Sequence, residues 1–184
     1  MTVNIINGGS RAEQRKKVLF EELKSQNIID FKLWEGVKDP TSVIRSISLS
    51  HKEIVQDAKD KGLKMVCIAE DDIMFLGDLA FAYFIFNIPE KFDIYLGGVF
   101  LGVLKDNVAE RFTGMTLYIV HENFYDTFLA SDNSQHIDQW LADKGMYVVC
   151  DPFIVRQHNG WSDNSQQYAN YDQMFTHRNL YNKK

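Results

Sequence analysis

Met65-Val66-Cys67-Ile68-Ala69, followed at once by Glu70-Asp71-Asp72, decides the fold. Five apolar residues without a polar break are the pattern of a central strand covered on both faces. Three carboxylates then close it. In a sheet of parallel strands, ligands bind beyond the carboxyl ends of the strands. The triplet is therefore expected in a ligand site.

Towards the N-terminus, Val3 to Asn7 reads as a strand, and Ser10-Arg11-Ala12-Glu13 has the form of a capping box opening a helix. That helix is expected to reach about Gln26, with Leu19 and Leu23 inward. Phe31-Lys32-Leu33-Trp34 alternates as a second strand. Ser50-His51-Lys52-Glu53 repeats the capping pattern and predicts a helix starting there, with Ile54, Val55 and Ala58 on one face and Gly62 as its stop. Strand, helix, strand, helix, strand predicts an α/β fold. Its sheet is expected to be mostly parallel and Rossmann-like, with right-handed crossovers and helices on both faces. Asn7-Gly8-Gly9, Glu35-Gly36 and the triplet all fall at carboxyl ends, so the three should meet in one cleft.

Towards the C-terminus, Leu79 to Phe86 reads as a helix, and Phe92 to Leu96 and Met115 to Val120 as strands. Helices are expected near Phe124 to Leu129 and Ile137 to Lys144, with a strand from Met146 to Cys150. From Gln157 the chain is polar and aromatic. No repeat or domain boundary interrupts the pattern, so residues 1–184 are expected to form one compact domain.

Composition narrows the function. A chain of 184 residues that is 45% hydrophobic and has only 3 prolines suits one domain with a real core. Its 20 basic against 25 acidic side chains leave a net charge of −5, without the basic footprint of a nucleic-acid binder. No apolar run approaches the roughly 20 residues of a membrane span. The start at Met1 lacks the pattern of a secretory signal, which sets a cytoplasmic expectation. Cys67 and Cys150 lie in separate apolar runs and are expected as buried free thiols.

Three adjacent carboxylates raise one another's pKa unless a cation offsets them. Mg²⁺ or Mn²⁺ does so, and such ions commonly bridge one or two carboxylates to a diphosphate. Strand alternation sends Glu70 and Asp72 one way and Asp71 the other. Asp72 is the expected direct metal ligand, assisted by Glu70 or Asp71.

The chain resembles glycosyltransferase family 25, the lipooligosaccharide-type galactosyltransferases of GT-A fold. The resemblance rests on Val3-Asn4-Ile5-Ile6-Asn7 with Arg11 and Arg15, on Leu49-Ser50-His51, on Ile68-Ala69-Glu70-Asp71-Asp72, and on a closing block. That block comprises Ile137-Asp138, Asp151-Pro152-Phe153-Ile154-Val155-Arg156-Gln157 and Ser162-Asp163. The first turn, Gly8-Gly9-Ser10-Arg11, departs from the family's acidic and arginine-rich sequence, and the stretch from Gly98 to Thr113 is short.

The resemblance implies transfer of a sugar, galactose in the family, from a UDP-linked donor to a glycan or glycolipid hydroxyl, with inversion. Such a displacement needs a metal clamp on the leaving diphosphate and a carboxylate base at the acceptor. Asp138 is the expected base, with Asp163 as second choice. Asn7, Arg11, Arg15, His51, Glu70 and Asp71 are expected on the nucleotide, and His158 as a late metal ligand of the kind used by GT-A enzymes outside the family. Trp161, Tyr168 and Tyr171 could stack on a sugar. Three other readings remain open: a non-catalytic glycan- or nucleotide-sugar-binding relative, a metal-dependent phosphotransferase or nucleotidyltransferase, and a structural protein whose acidic turn is incidental.

Overall fold

A computed structural model describes residues 1–172 and 180–182. The chain opens with strand β1 (Val3–Asn7), helix α1 (Ala12–Ser25), β2 (Phe31–Glu35), α2 (Val43–Asp60) and β3 (Met65–Glu70). Then come β4 (Ile73–Phe75), α3 (Ala80–Phe86), β5 (Ile94–Leu96), β6 (Leu101–Lys105), β7 (Val108–Thr113) and β8 (Leu117–His121). A 3₁₀ turn at Glu122–Phe124 leads into α4 (Tyr125–Leu129), α5 (Ile137–Leu141), β9 (Tyr147–Val149) and β10 (Val155–Gln157). Short strands β11 (Gly160–Ser162), β12 (Gln167–Ala169) and β13 (Leu180–Asn182) follow.

Among the described residues, nine strands form one sheet in the order β13-β6-β7-β9-β5-β8-β3-β1-β2. The pairings make seven of them codirectional, with β7 and β8 reversed. The sheet is thus mostly parallel, and wholly so across β2, β1 and β3. On β3, Val66 and Ile68 face a core shared with Ile54, Val55 and Ala58 of α2 and with Phe128 and Leu141 of α4 and α5. Cys67 and Ala69 face the other core, with Leu19 and Leu23 of α1 and Phe84 of α3. Helices therefore cover both faces, as the unbroken apolar run requires. Both cysteines are free and buried. Among the described residues no helix is long and apolar enough to cross a membrane.

Neither capping box caps a helix. α2 begins at Val43, not at Ser50: Ser42 Oγ accepts from the Arg45 N–H at 3.2 Å, and Asp39 pairs with Arg45 beside it. The serine-rich first turns hid this start, because serine is a weak helix former on propensity alone. Here two hydroxyls are satisfied within the helix, Ser46 Oγ donating to Ser42 O at 3.0 Å and Ser50 Oγ to Ser46 O at 2.8 Å, while the buried Ser48 Oγ has no partner among the described residues. His51 consequently sits mid-helix rather than in a first turn. At α1, Arg11 is the N-cap and supplies no side-chain bond. The Ser10 hydroxyl instead donates to Asp163 Oδ1 at 2.6 Å, drawing the closing segment onto the first turn.

Candidate active site

The carboxyl ends of β1, β2 and β3 lie level, since Asn7 pairs with Glu35 and Ile6 with Glu70. Beyond them opens a cavity of about 810 Å³, within the range of a nucleotide or cofactor pocket. The turns Gly8–Ser10 and Gly36–Asp39 form one side of its lining, together with the triplet. Gly114, His136, Asp138 and Gln139 line it from the β7 end and α5, and Trp161 to Asn164 from the closing segment.

Two glycines let the first two turns touch. A Cβ on Gly36 would lie 2.9 Å from Gly8 Cα, so the backbones meet where side chains have no room. Gly9 is in the left-handed region at φ +79°, and its missing Cβ leaves the place taken by Asp163 Oδ2.

β4 turns back directly after the triplet and pairs antiparallel with β10, Ile73 opposite Gln157. The His158 N–H donates to Asp72 O at 2.8 Å, so the closing segment holds the acidic turn by its backbone. The three carboxylates have different surroundings. Glu70 Oε2 accepts from Gln157 Nε2, and Oε1 lies 3.6 Å from His51 Nε2. His51 Nδ1 is 2.6 Å from the buried Tyr118 hydroxyl. With a carboxylate at Nε2, the ring proton belongs there, and Nδ1 accepts from Tyr118. Burial alone would raise Glu70, yet the His51 and Gln157 contacts hold it below the usual carboxylate range.

Asp71 Oδ2 accepts from Asn7 Nδ2 at 2.8 Å, and Oδ1 is 3.1 Å from Arg15 Nε, close in charge but not aligned as a hydrogen bond. Burial pushes Asp71 up to about 6, against the opposing pull of Arg15 and Asn7. An acid whose folded pKa exceeds its unfolded value of about 3.9 stabilises the fold below that value and loses the contribution as pH rises through the folded one. In metal-free protein, the stability of Asp71→Asn relative to the parent should therefore grow between about pH 4 and pH 6, by at most ~3 kcal/mol. Urea unfolding across that window measures it; a constant difference would refute the burial argument.

Asp72 Oδ1 is buried and has no hydrogen-bond partner among the described residues, while Oδ2 is 3.9 Å from Arg15 Nη1. Burial, then the charges of Glu70 and Asp71, raise Asp72 well above the usual range. A divalent cation fits that chemistry: an orphaned carboxylate oxygen, further carboxylates beside it, and a residue that lines the cavity. Among the described residues no three metal-ligating side chains form a ready-made cage. An ion here would take its remaining oxygens from a ligand's phosphates or from water, as Mg²⁺ and its relatives do.

The structure brings Asp138, Asp163, Arg15 and His51 to this cavity together with the triplet. Asp138 Oδ2 accepts from the Gly114 N–H at 3.0 Å and Oδ1 from Gln139 N–H at 2.8 Å, and burial raises its pKa. Asp163 differs. Burial works to raise it, but the Ser10 hydroxyl and N–H and the Arg15 charge hold it below the usual range. Asn7 lies behind the lining, where it orients Asp71. Arg11 stacks over Trp161 at 5.6 Å and lies outside the cavity lining.

His158 is not brought to the cluster, because its Nε2 bonds Glu22 Oε1 at 3.1 Å on α1. Of the three aromatics, Trp161 and Tyr171 line the cavity, whereas Tyr168 stands 69% exposed on the hairpin. Sequence reasoning passed over Tyr118, Phe100 and the Ser10–Asp163 clasp. Only Tyr118 carried a signal, a hydroxyl-bearing residue between the buried apolar Leu117 and Ile119. Phe100 stacks on Tyr171 at 5.1 Å and packs against Gly114.

Among solved structures, A197 from STIV superposes with a TM-score of 0.56 at 10% identity, over 91% of this chain and 92% of that one. The inositol-1-phosphate CTP transferase from T. maritima superposes at 0.52 and 12% identity, over 96% and 77%. The fold is GT-A-like. A glycosyltransferase involved in glycosylation of the major capsid of PBCV-1 reaches 0.49 at 13% identity, over 83% of both chains. At such identities the likeness is one of GT-A-like fold alone. No family model matches the sequence. No curated protein matches it either.

Proposed function

We propose that this chain is a metal-dependent, inverting glycosyltransferase akin to glycosyltransferase family 25. It moves a hexose, galactose by resemblance, from a UDP-linked donor to a hydroxyl of a glycan or lipooligosaccharide-type acceptor. The observation that carries this proposal is the orphaned, buried Asp72 Oδ1 in a nucleotide-sized cavity that also holds a raised-pKa carboxylate, Asp138, from a separate element.

Asp72, with Asp71 beside it, would hold Mn²⁺ or Mg²⁺, which when bound neutralises the departing diphosphate. The other parts of the chemistry belong to the chain. The touching turns at Gly8 and Gly36 admit a ligand close to the backbone, and Arg15 supplies a fixed positive charge beside the phosphates. Asp138 accepts the proton of the attacking hydroxyl. Its elevated pKa makes it a stronger base than an exposed aspartate. Gly114 and Gln139 N–H groups fix its orientation. Glu70, locked by His51 and Gln157, places negative charge where positive charge builds on the sugar.

Thermal shift with a panel of nucleotide sugars, each with and without Mn²⁺, tests the proposal, because a ligand of the native state raises its melting temperature. UDP-galactose with Mn²⁺ should give the largest rise, and slow release of free galactose should follow. No Mn²⁺-dependent shift with any nucleoside diphosphate or its sugar would overturn it. The second reading, a metal-dependent nucleotidyltransferase, gains support from the CTP transferase that shares the fold. It predicts pyrophosphate release from a triphosphate. Binding without turnover of any donor would indicate the non-catalytic relative.

A further inference from the structure

Arg15 occupies the middle of the acidic strand end. Its Nε lies 3.1 Å from Asp71 Oδ1, Nη1 3.9 Å from Asp72 Oδ2 and Nη2 4.0 Å from Asp163 Oδ2. Nη2 also donates to Gly8 O at 2.6 Å, which ties the guanidinium to the first turn. Yet it satisfies the acids incompletely: Arg15 Nε and Asp72 Oδ1 are both buried and, among the described residues, both lack an aligned hydrogen bond. A planar fork of this kind prefers a bidentate anion, and here it is stretched over three carboxylates on two chain segments.

We propose that Arg15 is a resident counter-ion that makes the cation and the nucleoside diphosphate depend on one another for binding; this rests on the function proposed above. Without ligand, Arg15 shields Asp71 and Asp72. A divalent ion arriving alone at Asp72 meets a fixed positive charge a few ångströms away in a half-buried pocket, where water screens it poorly. A diphosphate reverses the balance. Its oxygens give the guanidinium the bidentate partner that the carboxylates do not, and they complete the ion's coordination. The ion then binds well only together with the nucleotide, and the site resists bare metal.

Isothermal titration calorimetry on the full chain tests this with MnCl₂ alone, with UDP in the presence of EDTA, and with UDP plus MnCl₂. For Arg15→Gln we expect Mn²⁺ alone to bind at least about tenfold tighter than to the parent, since the repulsion is gone. UDP with Mn²⁺ should bind about tenfold weaker, since a charge-assisted bidentate contact is lost. The two effects have opposite signs, which a general loosening of the pocket does not produce. Arg15→Lys keeps the charge and should leave the affinity for Mn²⁺ alone near that of the parent. Should Arg15→Gln not unfold cooperatively, Arg15→Met, which retains the aliphatic stem, takes its place. Unchanged or weaker binding of Mn²⁺ alone in the folded neutral variant overturns the proposal. A parent that binds Mn²⁺ but no nucleoside diphosphate sinks the function proposed above instead, while the Mn²⁺-alone comparison still decides whether Arg15 is the counter-ion.

Discussion

Asp72→Ala is expected to lose Mn²⁺-dependent UDP binding, by ~100-fold or more, while the metal-free protein melts higher than the parent. The loss follows from Asp72 holding a buried carboxylate oxygen with no partner among the described residues, which a cation would satisfy. The gain follows from the same burial. Asp72 is raised well above the usual carboxylate range by burial and by the charges of Glu70 and Asp71, so it is an acid that the fold tolerates rather than uses. Removing it relieves like-charge repulsion worth about 1 kcal/mol, or ~2–4 °C in a domain of this size. Calorimetric titration and a melting curve on one preparation read both. Unchanged Mn²⁺-dependent UDP affinity would remove the basis of the proposed function. A lower melting temperature would mean that Arg15 stabilises Asp72 more than its surroundings penalise it.

The second large effect belongs to Asp138. Asp138→Asn should cut turnover by about 10²–10⁴, with the affinity for UDP and Mn²⁺ within about twofold of the parent, since the substitution removes proton acceptance and leaves the donor side alone. Asn offers one acceptor where Asp138 offers two, to the Gly114 and Gln139 N–H groups. A stability loss of about 1 kcal/mol is therefore expected beside the kinetic one. The parent's turnover should rise with pH through the elevated pKa of Asp138, and this rise should vanish in the variant. If Asp138→Asn turns over like the parent, the base lies elsewhere. Asp163 is the poorer alternative, clasped by Ser10 and held in its weakly basic form.

Some of this was legible in the sequence because one physical cause dominated. Ile68 and its neighbours are apolar on both faces of β3, and only a strand between two helical layers needs that; the parallel β2-β1-β3 core and the convergence of its three ends follow. The serines mislead in both places where local chemistry is ambiguous. Ser10 and Ser50 each match a helix cap, yet one bonds Asp163 and the other Ser46. A hydroxyl takes whichever partner the tertiary structure offers, and a spacing rule sees only the local one. The reversal of β7 and β8 was similarly hidden, since strand direction depends on connections made between distant segments. His158 shows the limit for site residues. Its backbone touches the acidic turn while its ring faces Glu22, and only three-dimensional geometry separates those two facts.

The pairing of β4 with β10 has a consequence for the order of folding. Gln157 meets Glu70 across 87 positions of chain. Closing so long a loop costs entropy before the contact repays it, so pairings of this kind form late. During that interval the strand end carries its acids without the partners that the closing segment brings. The acidic strand end is thus expected to gain its closing-segment contacts after the β2-β1-β3 scaffold has paired.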